Sequence, residues 1–149
     1  MQDNAIAPAS APAPLPARFA AMIYESLLVT AVIFVASFLV MPVVGELQTP
    51  WQRHLFQAYL VGVLFAYFSA FWLRSGQTLA MKTWRIRLVQ QHGGELNLRQ
   101  ALLRFAFALL GLLLAGMGFW WAFFDRDKQF LHDRIAGTRL IRVPRKRDK

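Results

Sequence analysis

The sequence has no cysteine, which excludes disulfides and thiolate metal sites. Its three histidines, His54, His92 and His132, are scattered without metal-ligand spacing. No Gly-x-Ser-x-Gly turn occurs, and no serine stands near a histidine–acid pair in the sequence. The chain is therefore read as no enzyme, with no metal or other cofactor. Acidic residues are scarce as well, 8 against 17 Lys and Arg, for a net charge of +9. In a soluble protein that imbalance would suggest nucleic acid. Here the basic residues flank apolar segments instead, where each attracts anionic lipid head groups by roughly 1 kcal/mol. Membrane lipid is the expected partner, and nucleic acid is not.

Apolar sequence is abundant. At 149 residues the chain is one domain, and its mean hydropathy of +0.36 is too high for an ordinary soluble one. Ser26–Val44, Leu55–Leu73 and Phe105–Phe124 are uncharged and mostly apolar. Each is long enough for a helix to cross the roughly 30 Å hydrocarbon core of a bilayer. Phe105–Phe124 is apolar on every helical face, which leaves no polar stripe for water. In lipid the backbone must satisfy itself, so helices are expected. The predicted fold is an all-α membrane protein with a helical bundle of three apolar segments.

Residues 1–17, with Pro8, Pro12, Pro14 and Pro16 among alanines, are expected to form a disordered leader. A signal peptide is not expected, because the basic n-region is missing. The membrane domain then covers residues 18–143, and residues 144–149 form a basic tail. The first helix is expected from near Pro16 to Pro42–Gly45. The short connection Glu46–His54 makes an antiparallel hairpin with the second helix, Arg53 to Leu73. Trp84–Val89 alternates in strand fashion, and His92-Gly93-Gly94 signals a turn. Glu95–Leu98 is expected to return as the second strand of a small β-hairpin. Thr138–Val143 alternates too and is a candidate third strand.

The charges expose a conflict. Arg74–Arg99 holds five Lys or Arg, the section from Arg126 onward holds nine, and the first connection holds only Arg53. Positive charge marks the cytoplasmic side, yet three simple crossings would put the two basic sections on opposite faces. If Phe105–Phe124 bends at Gly111, Gly116 and Gly118, it becomes two half-helices of roughly 15 Å each that dip in and return. Both basic sections, and both termini, then share the cytoplasmic face of the cell inner membrane. The alternative is one spanning helix whose glycines pack against other helices, including those of a homo-oligomer or a membrane-protein partner.

Two motifs resemble a known family. Gly76-Gln77-Thr78-Leu79-Ala80-Met81-Lys82, followed by Ile86-Arg87-Leu88-Val89, is similar to the linker of the RDD family of small bacterial membrane proteins. Leu131-His132-Asp133-Arg134-Ile135-Ala136-Gly137-Thr138-Arg139 resembles that family's C-terminal signature. The family is named for an arginine and two aspartates, which the resemblance places at Arg18, at Glu25 (aspartate is usual) and at Asp133. Ala80-Met81 replaces a usual Gly-Lys pair, and Arg85 replaces a usual glycine. The family's activity is poorly defined; the resemblance implies ion or small-solute transport.

A carboxylate at membrane depth is costly and needs a partner. Arg18, Glu25, Arg104 and Asp133 are expected to gather at the cytoplasmic end of the bundle, with Arg104 as the partner of Glu25. Two arginines and two carboxylates are together formally neutral, which limits the desolvation cost. Two roles are open. The cluster pins the C-terminal segment to the helices, or Glu25 exchanges a proton or cation as the bundle rearranges. His132-Asp133 has the composition of a proton-relay pair, although His132 also suits the start of an interfacial helix. Gly76-Gln77-Thr78 reads as a helix cap rather than a phosphate-binding turn, since it lacks the P-loop spacing.

Overall fold

The structure is a computed structural model, and it describes residues 11–114 and 116–144. The leader residues 1–10 and the basic tail from 145 lie outside the described residues. The elements run α1 (Leu15–Val44), α2 (Pro50–Ser75), α3 (Leu79–Thr83), β1 (Ile86–Gln90), α4 (Leu98–Leu113), α5 (Met117–Phe124), α6 (Leu131–Ala136) and β2 (Thr138–Arg142). The chain is mostly helical, and by length and composition α1 and α2 can each cross a membrane.

α1 carries Pro16 in its first turn, where a missing N–H costs nothing. It ends where the N–H of Gly45 donates to Met41 O at 2.8 Å. α2 opens with Pro50 after Thr49, whose N–H is held by Gln52 Oε1 at 3.0 Å. Most of the surface of both helices is apolar and open: Phe34 is 71% and Phe38 70% exposed. Exposed apolar faces of this kind are a liability in water and natural in lipid.

The third apolar segment is broken. α4 and α5 are bent by 99°, and Gly116 caps the start of α5 in the left-handed conformation. The two halves touch through their glycines. A Cβ on Gly111 would stand 3.3 Å from Gly118 Cα, so this close approach needs the bare backbone. Both glycines are therefore engaged within the chain.

β1 and β2 form a two-stranded antiparallel sheet in which Leu88 faces Leu140. This corrects the expected β-hairpin: Glu95–Leu98 is not a strand, and the partner of β1 comes from Thr138–Arg142. The reason is local. Asn97 Oδ1 accepts from Gln100 N at 2.8 Å and Gln100 Oε1 accepts from Asn97 N at 3.2 Å, a reciprocal cap that commits residues 97–100 to the entry of α4. The other edge of β2 meets part of the expected leader. Pro12 bridges Ile141, Ala13 N donates to Leu140 O at 3.0 Å, and Arg142 N donates to Ala11 O at 3.1 Å. The start of α1, the end of α2 and the start of α4 are thus gathered at the sheet. The buried core lies there too, in Ala13, Trp72, Leu88, Ala101, Phe130 and Leu140.

Candidate functional site

The site is built where three helices reach the sheet. Arg18 lies one turn into α1 and Arg104 two turns into α4, while Asp133 lies on α6. They are 2%, 4% and 0% exposed. Charges buried this deeply must be paired or hydrogen-bonded to persist. Arg104 and Asp133 form an ion pair, and the Arg104 guanidinium also lies 5.0 Å from the Trp72 ring. Arg18 is held differently. Its Nη1 donates to Lys128 O at 2.5 Å, and its guanidinium sits 5.9 Å from the Phe130 ring. No carboxylate among the described residues lies within ion-pair distance of Arg18.

The expected pairing of Glu25 with Arg104 is not formed. Docking of α6 brings Asp133 to Arg104 instead. Glu25 is seven residues beyond Arg18 on α1, hence about 10 Å deeper along the axis. There its carboxylate accepts from the hydroxyl of Thr78 and from Tyr67 Oη at 3.0 Å. The four charged residues thus divide into an Arg–Asp pair, an arginine without a carboxylate, and a glutamate held by neutral hydroxyls.

The linker motif explains how Thr78 reaches Glu25. Gly76 caps α2 with φ +66°, and a Cβ there would stand 2.5 Å from Leu88 O. Gln77 Nε2 donates to Ile86 O at 2.8 Å, which ties the turn to β1. Thr78 is then the buried N-cap of α3, its oxygen accepting from Met81 N at 3.3 Å. The cap expected of this motif is present, and the same hydroxyl serves Glu25. In the C-terminal motif Gly137 closes α6 with φ +67°. Thr138 Oγ1 donates to Asp133 O at 3.3 Å as β2 begins.

His132 is buried rather than interfacial, stacked on Phe130 with ring centres 5.4 Å apart and edge-on to Phe119. Burial, and secondarily the charge of Arg104, hold its pKa well below the usual histidine value. It is a neutral aromatic wall, with Nε2 3.7 Å from Asp133 Oδ1.

Arg18, Glu25, Arg104 and His132 all line one cavity of about 640 Å³ between α1, α2, α4 and α5. The rest of its wall is largely apolar. Two residues of the site do not stand out in the sequence: Tyr67, which orients Glu25, and Trp72, which lines the cavity and covers Arg104. A tyrosine inside an apolar helix needs a hydrogen-bond partner for its hydroxyl, and that was the available signal. Among the described residues no group of His, Asp and Glu is placed to hold a metal ion.

Comparisons with known proteins agree with the two motifs. The model of the RDD family matches residues 12–137. An uncharacterized protein of Rickettsia prowazekii (strain Madrid E) is 36% identical over 83 residues, which cover 54% of this chain and 44% of that protein. The chain thus spans less than half the length of that curated relative. No solved structure matches at a significant level.

Proposed function

The chain belongs to the RDD family, and we propose that it carries an ion or small solute across the cell inner membrane, with Glu25 as the exchanging group. The observation that carries this reading is the cavity whose wall holds Glu25, Arg18 and Arg104. A carboxylate on a membrane-spanning helix is a functional candidate by default. Here it is held by two hydroxyls rather than neutralised by an arginine, which suits a group that must change partners. In this reading the protein is no enzyme and needs no cofactor. The third apolar segment enters and returns as α4 and α5, shielded by the α1–α2 hairpin. The pairing of β1 with β2 supports this path, because it keeps the two basic sections together. Their charge supports a cytoplasmic position for the sheet and both termini, against anionic head groups. A homo-oligomer would enlarge the sheltered path.

Replacing Glu25 by Gln in proteoliposomes tests the role. Loss of pH-dependent cation or solute flux, with unchanged helix content, supports it; unchanged flux in a folded protein removes it. A scaffold role is the second reading, favoured by the Arg104–Asp133 pair that fastens α6 to α4. It requires that Glu25→Gln be silent and that other membrane proteins copurify.

A further inference from the structure

The cavity has a direction. On α1 its wall runs from Arg18 through Met22 and Glu25 to Val29; on α4 it runs from Arg104 through Ala108 to Leu112. On the antiparallel α2 it runs from Trp72 back to Leu64. At 1.5 Å per residue these strips are roughly 12–16 Å long. All three place guanidinium or indole groups at the sheet end and aliphatic side chains at the deep end. Beyond the sheet end only Glu25 and Ser26 offer polar groups among largely aliphatic and aromatic side chains.

The sheet end carries uncompensated positive charge. Arg104 is matched by Asp133, but Arg18 has only a backbone carbonyl and an aromatic face, and its Nε has no hydrogen-bond partner among the described residues. A buried guanidinium with an unpartnered donor on a cavity wall calls for an anion. Glu25, about 10 Å further in, repels an anion and keeps it at the Arg18 end. We propose that the cavity binds a single-chain amphiphile, with its anionic head on Arg18 and its hydrocarbon chain along Met22, Ala108 and Leu112. The volume of about 640 Å³ falls within the 300–1,000 Å³ range of sites that hold one small ligand. The inference rests on the reading of this cavity as the solute site and names the class of solute. The head is a carboxylate if the source is a free fatty acid, or a phosphate if it is a lysophospholipid.

Trp72 and Trp120 on the wall provide the test, since bromine quenches tryptophan on contact. The full chain in phosphatidylcholine liposomes is titrated with bromolaurate, with its methyl ester, and with brominated lysophosphatidylglycerol and lysophosphatidylcholine. Saturable quenching is expected for an anionic probe, at least about tenfold tighter than for its uncharged or zwitterionic counterpart, the worth of one charge-assisted contact. Tighter laurate identifies the fatty acid as the source, and tighter lysophosphatidylglycerol the phospholipid. Arg18→Gln should abolish the preference for the anion. Ala108→Leu narrows the channel without touching a charge, so it should weaken binding of the acid and the ester alike. Unsaturable quenching, equal binding of charged and uncharged probes, or indifference to both substitutions overturns the proposal. Quenching is read at equilibrium and needs no flux. Absence of binding with Glu25-dependent flux intact removes the amphiphile alone, whereas anion-selective binding without flux removes transport alone.

Discussion

Replacing Arg104 by Gln leaves the Asp133 carboxylate buried and without its cation. Asp133 is fully buried. His132 Nε2 lies 3.7 Å from its Oδ1, on a histidine that burial keeps neutral. Its Oδ2 has no hydrogen-bond donor among the described residues. Removal of one partner from a buried pair costs about 3–5 kcal/mol, and the lack of a substitute donor places this site toward the upper part of that range. The double replacement Arg104→Met with Asp133→Leu removes both charges and keeps the volume. It is expected to recover most of the loss, because well-packed apolar pairs often match buried ion pairs in stability. Denaturant unfolding in micelles, followed by helix content, measures both. A single replacement costing under about 1 kcal/mol, or a double one as unstable as the sum of the singles, would refute the reasoning.

Arg85 holds φ +52° with an exposed side chain, where the family resemblance has glycine. The left-handed conformation costs an ordinary residue roughly 1–2 kcal/mol, and glycine returns part of that as lost chain entropy. Arg85→Gly is expected to raise stability by about 0.5–1 kcal/mol in the same unfolding assay; a loss would show that the arginine makes a compensating contact. His132, facing Arg104 and Asp133, has a lowered folded pKa, so as pH falls below its ordinary value of 6.5 only the unfolded chain takes up the proton. Stability from this group is full above about 6.5 and declines below it, with a slope of at most ~1.4 kcal/mol per pH unit. His132→Phe should flatten unfolding stability between about pH 5 and 6.5; an unchanged slope would show that histidine titration is not its source.

The apolar runs were legible because lipid imposes a length and a composition that few other environments share. The strands at 86–90 and 138–142 were legible from alternation, and their mutual pairing was not. The glycine turn after His92 argued for a local hairpin, whereas the Asn97–Gln100 cap argued for a helix start. That cap is itself a sequence signal, and it prevails because each side chain satisfies the other's end of the turn. The bend between α4 and α5 was visible in the glycines, and the contact of Gly111 with Gly118 gives its physical cause. Arg18, Arg104 and Asp133 are buried and Glu25 is half-buried, but charge alone does not say which of them pair. The partners differ: Arg104 meets Asp133 of α6, and the hydroxyls of Thr78 and Tyr67 hold Glu25. The role of Thr78 as a cap hid its second role, since one hydroxyl both accepts from the backbone and donates to a carboxylate.

The central claim is that the chain turns back within its third apolar segment, so that linker, C-terminal section and charged cluster share one face. The absence of cysteine makes the measurement direct. Single cysteines at the exposed positions Gln91, Pro144 and Gln48 are labelled with a membrane-impermeant thiol reagent in inside-out and right-side-out vesicles. Gln91→Cys and Pro144→Cys are expected to react only in inside-out vesicles, and Gln48→Cys only in right-side-out ones. Labelling of positions 91 and 144 from opposite sides would contradict the account.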